Sequence, residues 1–353
     1  MDLDASLDMA VGLLKELIRN PSVSREEKQA ADLLEKFMEE RGLKVFRRHH
    51  NLWTAHQVSD SKPNILLNSH LDTVRPVAGW KRDPFSPEVE GDRLYGLGSN
   101  DAGGPLVALL ACFLYFTGRQ DNSFNLIFAA SAEEEVSGQK GVTSILKNLG
   151  KIDLGIIGEP TLNQMAVAEK GLMVIDGKGH GYSAHAASGE GKNAIYEAMK
   201  DIEWISAYQF EQVSEWLGRV GMQVTMISSG TQHNVVPDQC NWVADIRTNE
   251  HYSNEAVFEV IQQSMKGEVK ARSFRLNPSF ISVEHPVVKR GTDMGLKSYG
   301  SMTLSDQSLM SFPTLKIGPG DSNRSHTADE YICIDEIKQG ISNYIHLLKG
   351  LQI

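Results

Sequence analysis

The sequence predicts an α/β protein whose main sheet is built from short, buried strands. Three observations predict this fold class. Apolar runs occur at 64–69, 124–131, 154–158 and 314–317, and polar or turn-forming residues follow each run. Runs of about four to eight apolar residues bounded in this way are typical of buried strands. Helical patterns lie between some of the runs, which favours a sheet covered by helices.

The first forty residues predict two helices. In the second, apolar residues follow helical spacing from Ala30 to Phe37, and Gly42 then provides a stop. Residues 21–24 predict a turn between the two helices. The longest apolar run, 106–116, is shorter than the roughly 18 residues of a membrane span and therefore predicts a buried helix.

The pattern changes between residues 172 and 285. This stretch predicts one long helix at 193–217. It also predicts three strands, at 172–177, 222–228 and 240–247. The series of potential metal ligands described below skips this part of the sequence. We therefore expect an inserted domain at 172–285, and a discontinuous parent domain formed by 1–171 and 286–353.

Composition and charge exclude several classes of protein. A formal net charge of -10 argues against general binding to nucleic acids or to anionic membranes. The acidic N-terminus lacks the basic region of a signal peptide. Three widely spaced cysteines form no CxxC pair, which indicates reduced thiols rather than a disulfide scaffold. We expect a cytoplasmic protein with no nucleic-acid or membrane partner.

Potential metal ligands follow the predicted strands. His70 and Asp72 share a face in an extended chain, so Asp72 could accept a hydrogen bond from a metal-bound imidazole. Asp101 lies in a glycine-rich loop, where a turn aspartate is the structural alternative. Glu159 follows the third run, and Pro160 restricts it to extended geometry. In α/β sheets, ligands bind beyond the carboxyl ends of strands, which is where these residues are expected.

Three consecutive glutamates, residues 133–135, follow another apolar run. Adjacent carboxylates repel one another unless cations neutralise them, although a solvated acidic turn is the structural alternative. A metal site would use one carboxylate as a ligand and a neighbour as a free base. His326 lies in a polar, glycine-rich loop after the last run. The ordered series of two histidines and three carboxylates suits two zinc-like ions bridged by one carboxylate.

These motifs, as an ordered set, resemble the M20 metallopeptidases, and within them the acetylornithine deacetylase and succinyl-diaminopimelate desuccinylase group. The resemblance extends from the turn at 21–24 to the loop at His326. It implies a zinc-peptidase-like α/β catalytic domain with a mixed sheet, and a smaller inserted α/β domain for dimerisation or as a lid. It also implies a homodimer and two Zn²⁺ ions, for which Co²⁺ or Mn²⁺ could substitute.

The resemblance assigns metal-binding roles to five residues. His70 and Glu159 would bind one ion. Glu135 and His326 would bind the other, and Asp101 would bridge the two ions.

Five further residues match catalytic or substrate-binding positions of the family. Asp72 would orient the first histidine, and Glu134 would be the general base. His185 would stabilise the oxyanion, from the other subunit in dimeric members. Asn234 and Arg247 would anchor the substrate. For these last three, the structural alternatives are a capping histidine, a turn asparagine and a strand-end salt bridge.

The motifs are most similar to those of acetylornithine deacetylases. This implies a hydrolase of linear amides that removes an acetyl or succinyl group from an N-acyl amino acid of the ornithine or citrulline type, in arginine biosynthesis. Succinyl-diaminopimelate desuccinylase, dipeptidase or carboxypeptidase activity is the alternative, and an inactive metal-free binding protein is a further one. Many relatives have Met and Lys after the bridging aspartate, whereas this chain has Ala102 and Gly103, which leaves the substrate open.

Overall fold

A computed structural model describes residues 2–353. Met1, the first residue of the predicted catalytic domain, lies outside the described residues. The described chain divides into two compact units. The first unit consists of the described residues up to Val167, Ile281–Tyr299 and Ser305–Ile353. The second unit consists of Ala168–Phe280 and Gly300–Leu304.

In residues 2–353, groups of strands lie between most of the α-helices. The α-helices are α1 (Leu3–Arg19), α2 (Lys28–Glu39), α3 (Gly104–Phe116), α4 (Ala194–Ala207), α5 (Asn254–Ser264), α6 (Pro286–Asp293) and α7 (Ile334–Leu348). The strands are β1 (Phe46–Arg48), β2 (Asn51–His56), β3 (Asn64–His70), β4 (Glu88–Glu90), β5 (Arg93–Tyr95), β6 (Asn125–Ser131), β7 (Leu154–Ile157), β8 (Met165–Glu169), β9 (Met173–His180), β10 (Gly221–Ser229), β11 (Gln239–Arg247), β12 (Glu268–Ala271), β13 (Ser279–Phe280), β14 (Ser298–Ser301), β15 (Thr314–Lys316) and β16 (Tyr331–Cys333). None of the helices formed by residues 2–353 combines the length and the apolar character needed to cross a bilayer.

The largest sheet is mixed and has the strand order β1-β2-β6-β3-β7-β15-β8-β13, with β14 beside β8. Strand β3 runs parallel to β6 and β7, and β7 runs parallel to β15. Strand β6 is buried throughout, as expected for a strand covered on both faces. The predicted α/β class is therefore confirmed. The predicted buried helix at 106–116 is also confirmed, because it lies within α3, which packs against α1, α7 and the sheet.

The parallel strands bring candidate ligands to one edge of this sheet. Strand β3 ends at His70, whose partner on β6 is Ser131, the residue before 132–135. Strand β7 ends at Ile157, two residues before Glu159. A separate antiparallel sheet, β16-β5-β4, joins the segment that leads into the glycine-rich loop at 96–104 to the segment that follows His326.

The second unit contains a four-stranded antiparallel sheet with the order β10-β11-β9-β12. Alternate residues of β9 and β11 are buried, which is the period-two pattern of a sheet covered on one face. The buried side chains of the sheet pack with α4 and α5 in one apolar core that includes Ile175, Trp242 and Ile261. The open face carries charged residues, among them the Asp176–Arg272 ion pair.

The long helix expected at 193–217 is wrong in its second half, because α4 ends at Ala207. The main chain becomes extended at Tyr208, whose ring stacks on Trp204 with the ring centroids 4.4 Å apart. Phe210 and Leu217 are both buried, and Ser214 pairs with Gly218, which folds the segment back on itself. A folded-back segment with such buried residues can imitate the apolar spacing of a helix.

Candidate metal centre

His70 stands at the end of β3 with 1% of its surface exposed. Its Nδ1 lies 2.9 Å from the main-chain oxygen of Asp72, so Nδ1–H donates there and Nε2 is left to bind another group. Nε2 lies 3.1 Å from Oδ1 of Asp101 and 3.9 Å from Oε1 of Glu159. The imidazole is therefore held from one side and directed at two carboxylates from the other.

Asp72 contacts His70 differently from what the sequence suggested. Its carboxylate Oδ1 is 3.6 Å from Nδ1 of His70, whereas its main-chain oxygen makes the shorter contact. The carboxylate accepts hydrogen bonds from the main-chain N–H groups of Glu134 and Glu135, at 3.0 and 3.2 Å, and from the Ser24 hydroxyl at 2.7 Å. Burial raises the pKa of Asp72 to about 6. One residue thus holds both the histidine and the loop that carries the glutamates.

His326 lies opposite this histidine, on the loop after β15. Its Nε2 is 2.9 Å from Oε2 of Glu135 and 3.7 Å from Oδ2 of Asp101. The hydrogen bond with Glu135 raises the pKa of His326 to about 9, against the desolvation that lowers it. The side chain is 51% exposed, so this histidine is reached by solvent.

The five predicted metal ligands form two overlapping groups. His70, Asp101 and Glu159 form one group, and Asp101, Glu135 and His326 form the other; within each, one potential ligand atom per residue lies within 4.8 Å of the others. Asp101 belongs to both groups, and its two oxygens face different histidines. The donor set of nitrogen and carboxylate oxygen fits zinc and related divalent ions. Partly buried carboxylates this close together repel one another, so a bound cation is expected to stabilise them.

Glu134 belongs to neither group but lies beside them. Its Oε2 is 3.9 Å from Nε2 of His70. Burial raises the pKa of Glu134 well above its ordinary value, and the negative charges of Glu159 and Asp306 raise it further, while His70 opposes the shift. A carboxylate whose pKa is raised in this way is a stronger base than an ordinary solvent-exposed one.

Glu330 supports the loop that carries Asp101, and the sequence reasoning assigned it no role. The carboxylate is 2% exposed. It accepts hydrogen bonds from the main-chain N–H groups of Gly98, Asn100 and Asp101 at 3.0, 2.8 and 3.0 Å. Burial, followed by the charge of Asp101, raises the pKa of Glu330 to about 8. In the sequence, only the position of Glu330 four residues after His326 indicated that it could lie near the site.

Glu133, the first of the three consecutive glutamates, shapes its own loop. Its φ of 54° lies in the left-handed region, and its carboxylate accepts a hydrogen bond from the main-chain N–H of Lys140 at 3.2 Å. A side chain at Gly138 would not fit, because its Cβ would lie 1.9 Å from Oε2 of Glu133. Glycine is therefore required at that position for this carboxylate to fold back.

The remaining candidate residues lie in the second unit. The segments of His185 and Asn234 are adjacent there, since the Ala186 N–H donates to the main-chain oxygen of Asn234 at 2.9 Å. Both side chains are exposed. Arg247, at the end of β11, makes two hydrogen bonds to Asp245, from Nε at 2.7 Å and from Nη2 at 3.1 Å. The strand-end salt bridge that was the structural alternative for Arg247 is thus present.

Comparison with known proteins finds relatives that match most of the chain. The chain is 27% identical over 350 residues to a [LysW]-lysine/[LysW]-ornithine hydrolase of Sulfurisphaera tokodaii, covering 96% of this chain and 94% of the relative. It is also 27% identical to a succinyl-diaminopimelate desuccinylase of Dinoroseobacter shibae, over 74% of each chain. The fold is similar to that of an M20 family metallo-carboxypeptidase from Sulfolobus solfataricus, with a TM-score of 0.74, 20% identity and coverage of 97% and 98%.

The sequence profile of peptidase family M20/M25/M40 matches residues 66–350, which include the five predicted metal ligands and Glu134. That match extends over most of the chain. The chain therefore belongs to peptidase family M20/M25/M40 and is a hydrolase that acts on amide bonds.

Proposed function

We propose that this hydrolase removes an acetyl or succinyl group from the α-nitrogen of an amino acid of the ornithine or citrulline type, in arginine biosynthesis. The observation that carries the proposal is the arrangement around Asp101. One carboxylate is shared by two groups of potential metal ligands, and Glu134 stands beside both groups without belonging to either. Such an arrangement would supply two cation sites and a separate base, which suits metal-assisted amide hydrolysis.

His70 and Glu159 would hold one Zn²⁺ ion, Glu135 and His326 would hold the other, and Asp101 would contact both. Co²⁺ or Mn²⁺ could take the same places, because nitrogen and carboxylate donors suit these ions as well. When bound, the ions supply Lewis-acid polarisation of the amide carbonyl and of the attacking water. The hydrogen bond from Nδ1 of His70 to the Asp72 main chain keeps Nε2 directed at this position.

Glu134 would take the proton of the attacking water and transfer it to the leaving nitrogen. Its raised pKa supports this role, because a carboxyl group titrating nearer to neutral pH can serve as a base and then as an acid. Asp72 accepts a hydrogen bond from the Glu134 main chain, so the base is carried on an anchored segment.

The second unit would serve as the inserted lid or dimerisation domain and would contribute three residues to substrate binding. His185 would donate to the oxyanion, Asn234 would bind the substrate, and Arg247 would bind its carboxylate. In the structure Arg247 is paired with Asp245, so a substrate carboxylate would have to share or replace that partner.

We propose that the chain forms a homodimer through the second unit. Strand β10 is the outermost strand of the four-stranded sheet, and its nine residues contain no charge and no proline. Met226 and Ile227 on it are 65% and 57% exposed. A long edge strand without charges is suited to pairing with another strand, and two copies of β10 could pair antiparallel.

The relatives support two further substrates. One relative is named as a hydrolase of LysW-linked lysine and ornithine, and another as a desuccinylase of succinyl-diaminopimelate. Succinyl-diaminopimelate is the main alternative substrate, and the substrates of a dipeptidase or carboxypeptidase are the next. An inactive, metal-free binding protein is a further alternative. Such a protein would have kept all of the site residues without catalysing a reaction.

The test is a measurement of kcat/KM with zinc added, on N-acetyl and N-succinyl derivatives of ornithine and citrulline, N-succinyl-diaminopimelate and several dipeptides. We expect a clear preference for one acylated ornithine or citrulline. A preference for succinyl-diaminopimelate or for dipeptides would replace the substrate assignment but retain the metal site. Absence of both turnover and bound metal would leave the binding-protein alternative.

A further inference from the structure

The acidic loop, residues 132–135, is held by side chains along its whole length. Each of its four consecutive main-chain N–H groups donates to a side-chain oxygen. In chain order these bonds join Ala132 to Asn51, Glu133 to Glu27, Glu134 to Asp72 and Glu135 to Asp72, at 3.0, 3.1, 3.0 and 3.2 Å. The three acceptor residues are all 0% exposed. The loop therefore has a buried side-chain acceptor for each of its four main-chain N–H groups.

Among these acceptors, Glu27 joins the acidic loop to the start of α2 and to the turn between β1 and β2. Its Oε1 accepts from the main-chain N–H groups of Arg25 at 2.7 Å and Glu133 at 3.1 Å. Its Oε2 lies 2.7 Å from Nδ1 of His50, in the turn between β1 and β2. One buried carboxylate thus joins the start of α2, a surface turn and the acidic loop. A buried carboxylate requires such partners, because an unpaired one would be strongly destabilising.

We propose that Glu27 is a positioning residue for the acidic loop, and this inference rests on the proposed function. It fixes the main chain at Glu133, the residue with the left-handed φ of 54°. The two residues that follow carry the general base and a metal ligand, so the main-chain direction at Glu133 sets where both carboxylates project. Asp72 accepts hydrogen bonds from the main-chain N–H groups of the next two residues, and Glu27 fixes the residue that precedes them.

Loss of the Glu27 carboxylate would leave the buried N–H of Glu133 without an acceptor. The loop would then shift to satisfy that donor. A misplacement of about 1 Å can lower a catalytic rate by about 100-fold. Loss of a residue that supports a metal ligand typically lowers metal affinity or activity by about 10- to 100-fold. The effect of losing Glu27 should therefore fall on Glu134 and Glu135, and spare the group that contains His70 and Glu159.

The experiment compares Glu27→Met and Glu27→Gln with wild type, and uses Glu26→Gln as the matched control. Methionine fills a similar volume without an acceptor, whereas glutamine keeps one neutral acceptor oxygen. Glu26 is the exposed neighbour, and its carboxylate forms an ion pair with Arg75. The measurements are kcat and KM, Zn²⁺ binding by titration of the metal-free protein, thermal unfolding, and hydrogen exchange of the peptide that contains the acidic loop.

We expect Glu27→Met to lower kcat by about 10- to 100-fold with little change in KM, and to weaken one of two Zn²⁺ equivalents by a similar factor. Glu27→Gln should show a smaller loss, since hydrogen bonds to a charged acceptor are roughly twice as strong. Both variants should exchange the amides of the acidic loop faster than wild type, and Glu26→Gln should match wild type.

Unchanged kcat, Zn²⁺ binding and exchange in a folded Glu27→Met would overturn the inference. An equal weakening of both Zn²⁺ equivalents would also overturn it, because a general structural role predicts that result. If Glu27→Met does not fold, Glu27→Gln decides: faster exchange of the acidic loop with lower kcat supports the inference, and wild-type values overturn it. Failure of the wild-type protein to bind Zn²⁺ would instead contradict the proposed function.

Discussion

The candidate residues of the two units are held in different ways. In the first unit, His70, Asp101 and the glutamates lie within a network of buried acceptors that includes Asp72 and Glu330. In the second unit, His185 and Asn234 are exposed and lie on adjacent loops, and Arg247 pairs with a neighbour on its own strand. The first arrangement is preorganised for chemistry, whereas the second leaves its side chains able to move towards a ligand. The variants below test that contrast.

The largest effect is expected for Glu134→Gln. The amide keeps the shape of the side chain but cannot take a proton, so kcat should fall by about 10²- to 10⁴-fold. Zn²⁺ content should stay the same, because Glu134 is in neither ligand group. Steady-state kinetics and metal analysis of the same samples check both points. Near-normal turnover would show that another group is the base.

A somewhat smaller effect is expected for His185→Ala. If His185 donates to the oxyanion, kcat should fall by about 10²- to 10³-fold while Zn²⁺ binding and thermal unfolding stay as in wild type. His180, another exposed histidine of the second unit, is the control, and His180→Ala should have little effect. Loss of folding in His185→Ala alone would instead indicate that the histidine supports its loop.

The next effect is the pH dependence of Zn²⁺ binding by the group of Asp101, Glu135 and His326. In the metal-free protein Glu135 raises the pKa of His326 from 6.5 to about 9. Below that pH the imidazole must lose its proton before it can bind an ion, so the affinity of one Zn²⁺ equivalent should fall by about tenfold per pH unit below 9. Titration calorimetry in buffers of different ionisation enthalpy checks this. A pH-independent affinity between pH 7 and 9 would contradict it.

The same raised pKa predicts the sign of a stability effect in the metal-free protein. The His326–Glu135 pair should stabilise the fold fully below pH 6.5, and this contribution should be lost as pH rises through about 9. Glu135→Gln should remove most of that dependence. Thermal unfolding as a function of pH, with a chelator present, is the measurement.

The smallest effect is expected for Asp245→Asn. The ion pair with Arg247 is roughly one-third exposed, and such pairs contribute about 0.2–1 kcal/mol. Removing the charge of Asp245 should free the guanidinium for a substrate carboxylate and lower KM by a few-fold at most. A raised KM would show instead that Asp245 holds Arg247 in the orientation that binds the substrate.

The sequence predicted the parts of the fold and site that depend on local patterns. Apolar runs with polar ends located β3, β6, β7 and β15, because buried strands leave a strong periodic pattern. The candidate ligands were found because they stand at strand ends or in glycine-rich loops. The helix predicted at 193–217 was too long. The buried Phe210 and Leu217 continue the apolar pattern of the helix, but the main chain is no longer helical there.

The contacts that could not be predicted join residues far apart in the chain. Glu27 meets Glu133 across 106 positions, and Glu330 meets Asp101 across 229. Nothing in the neighbourhood of a glutamate shows that it will be buried against a distant main chain. The contact of His70 with the main-chain oxygen of Asp72, rather than with its carboxylate, also depends on how the chain turns after β3.

Asp101 has one further consequence. Because one of its oxygens faces His70 and the other faces His326, both ligand groups depend on the orientation of a single carboxylate. A substitution of Asp101 should therefore lower the affinity for both Zn²⁺ equivalents, whereas a change that reaches only one group should lower the affinity for one.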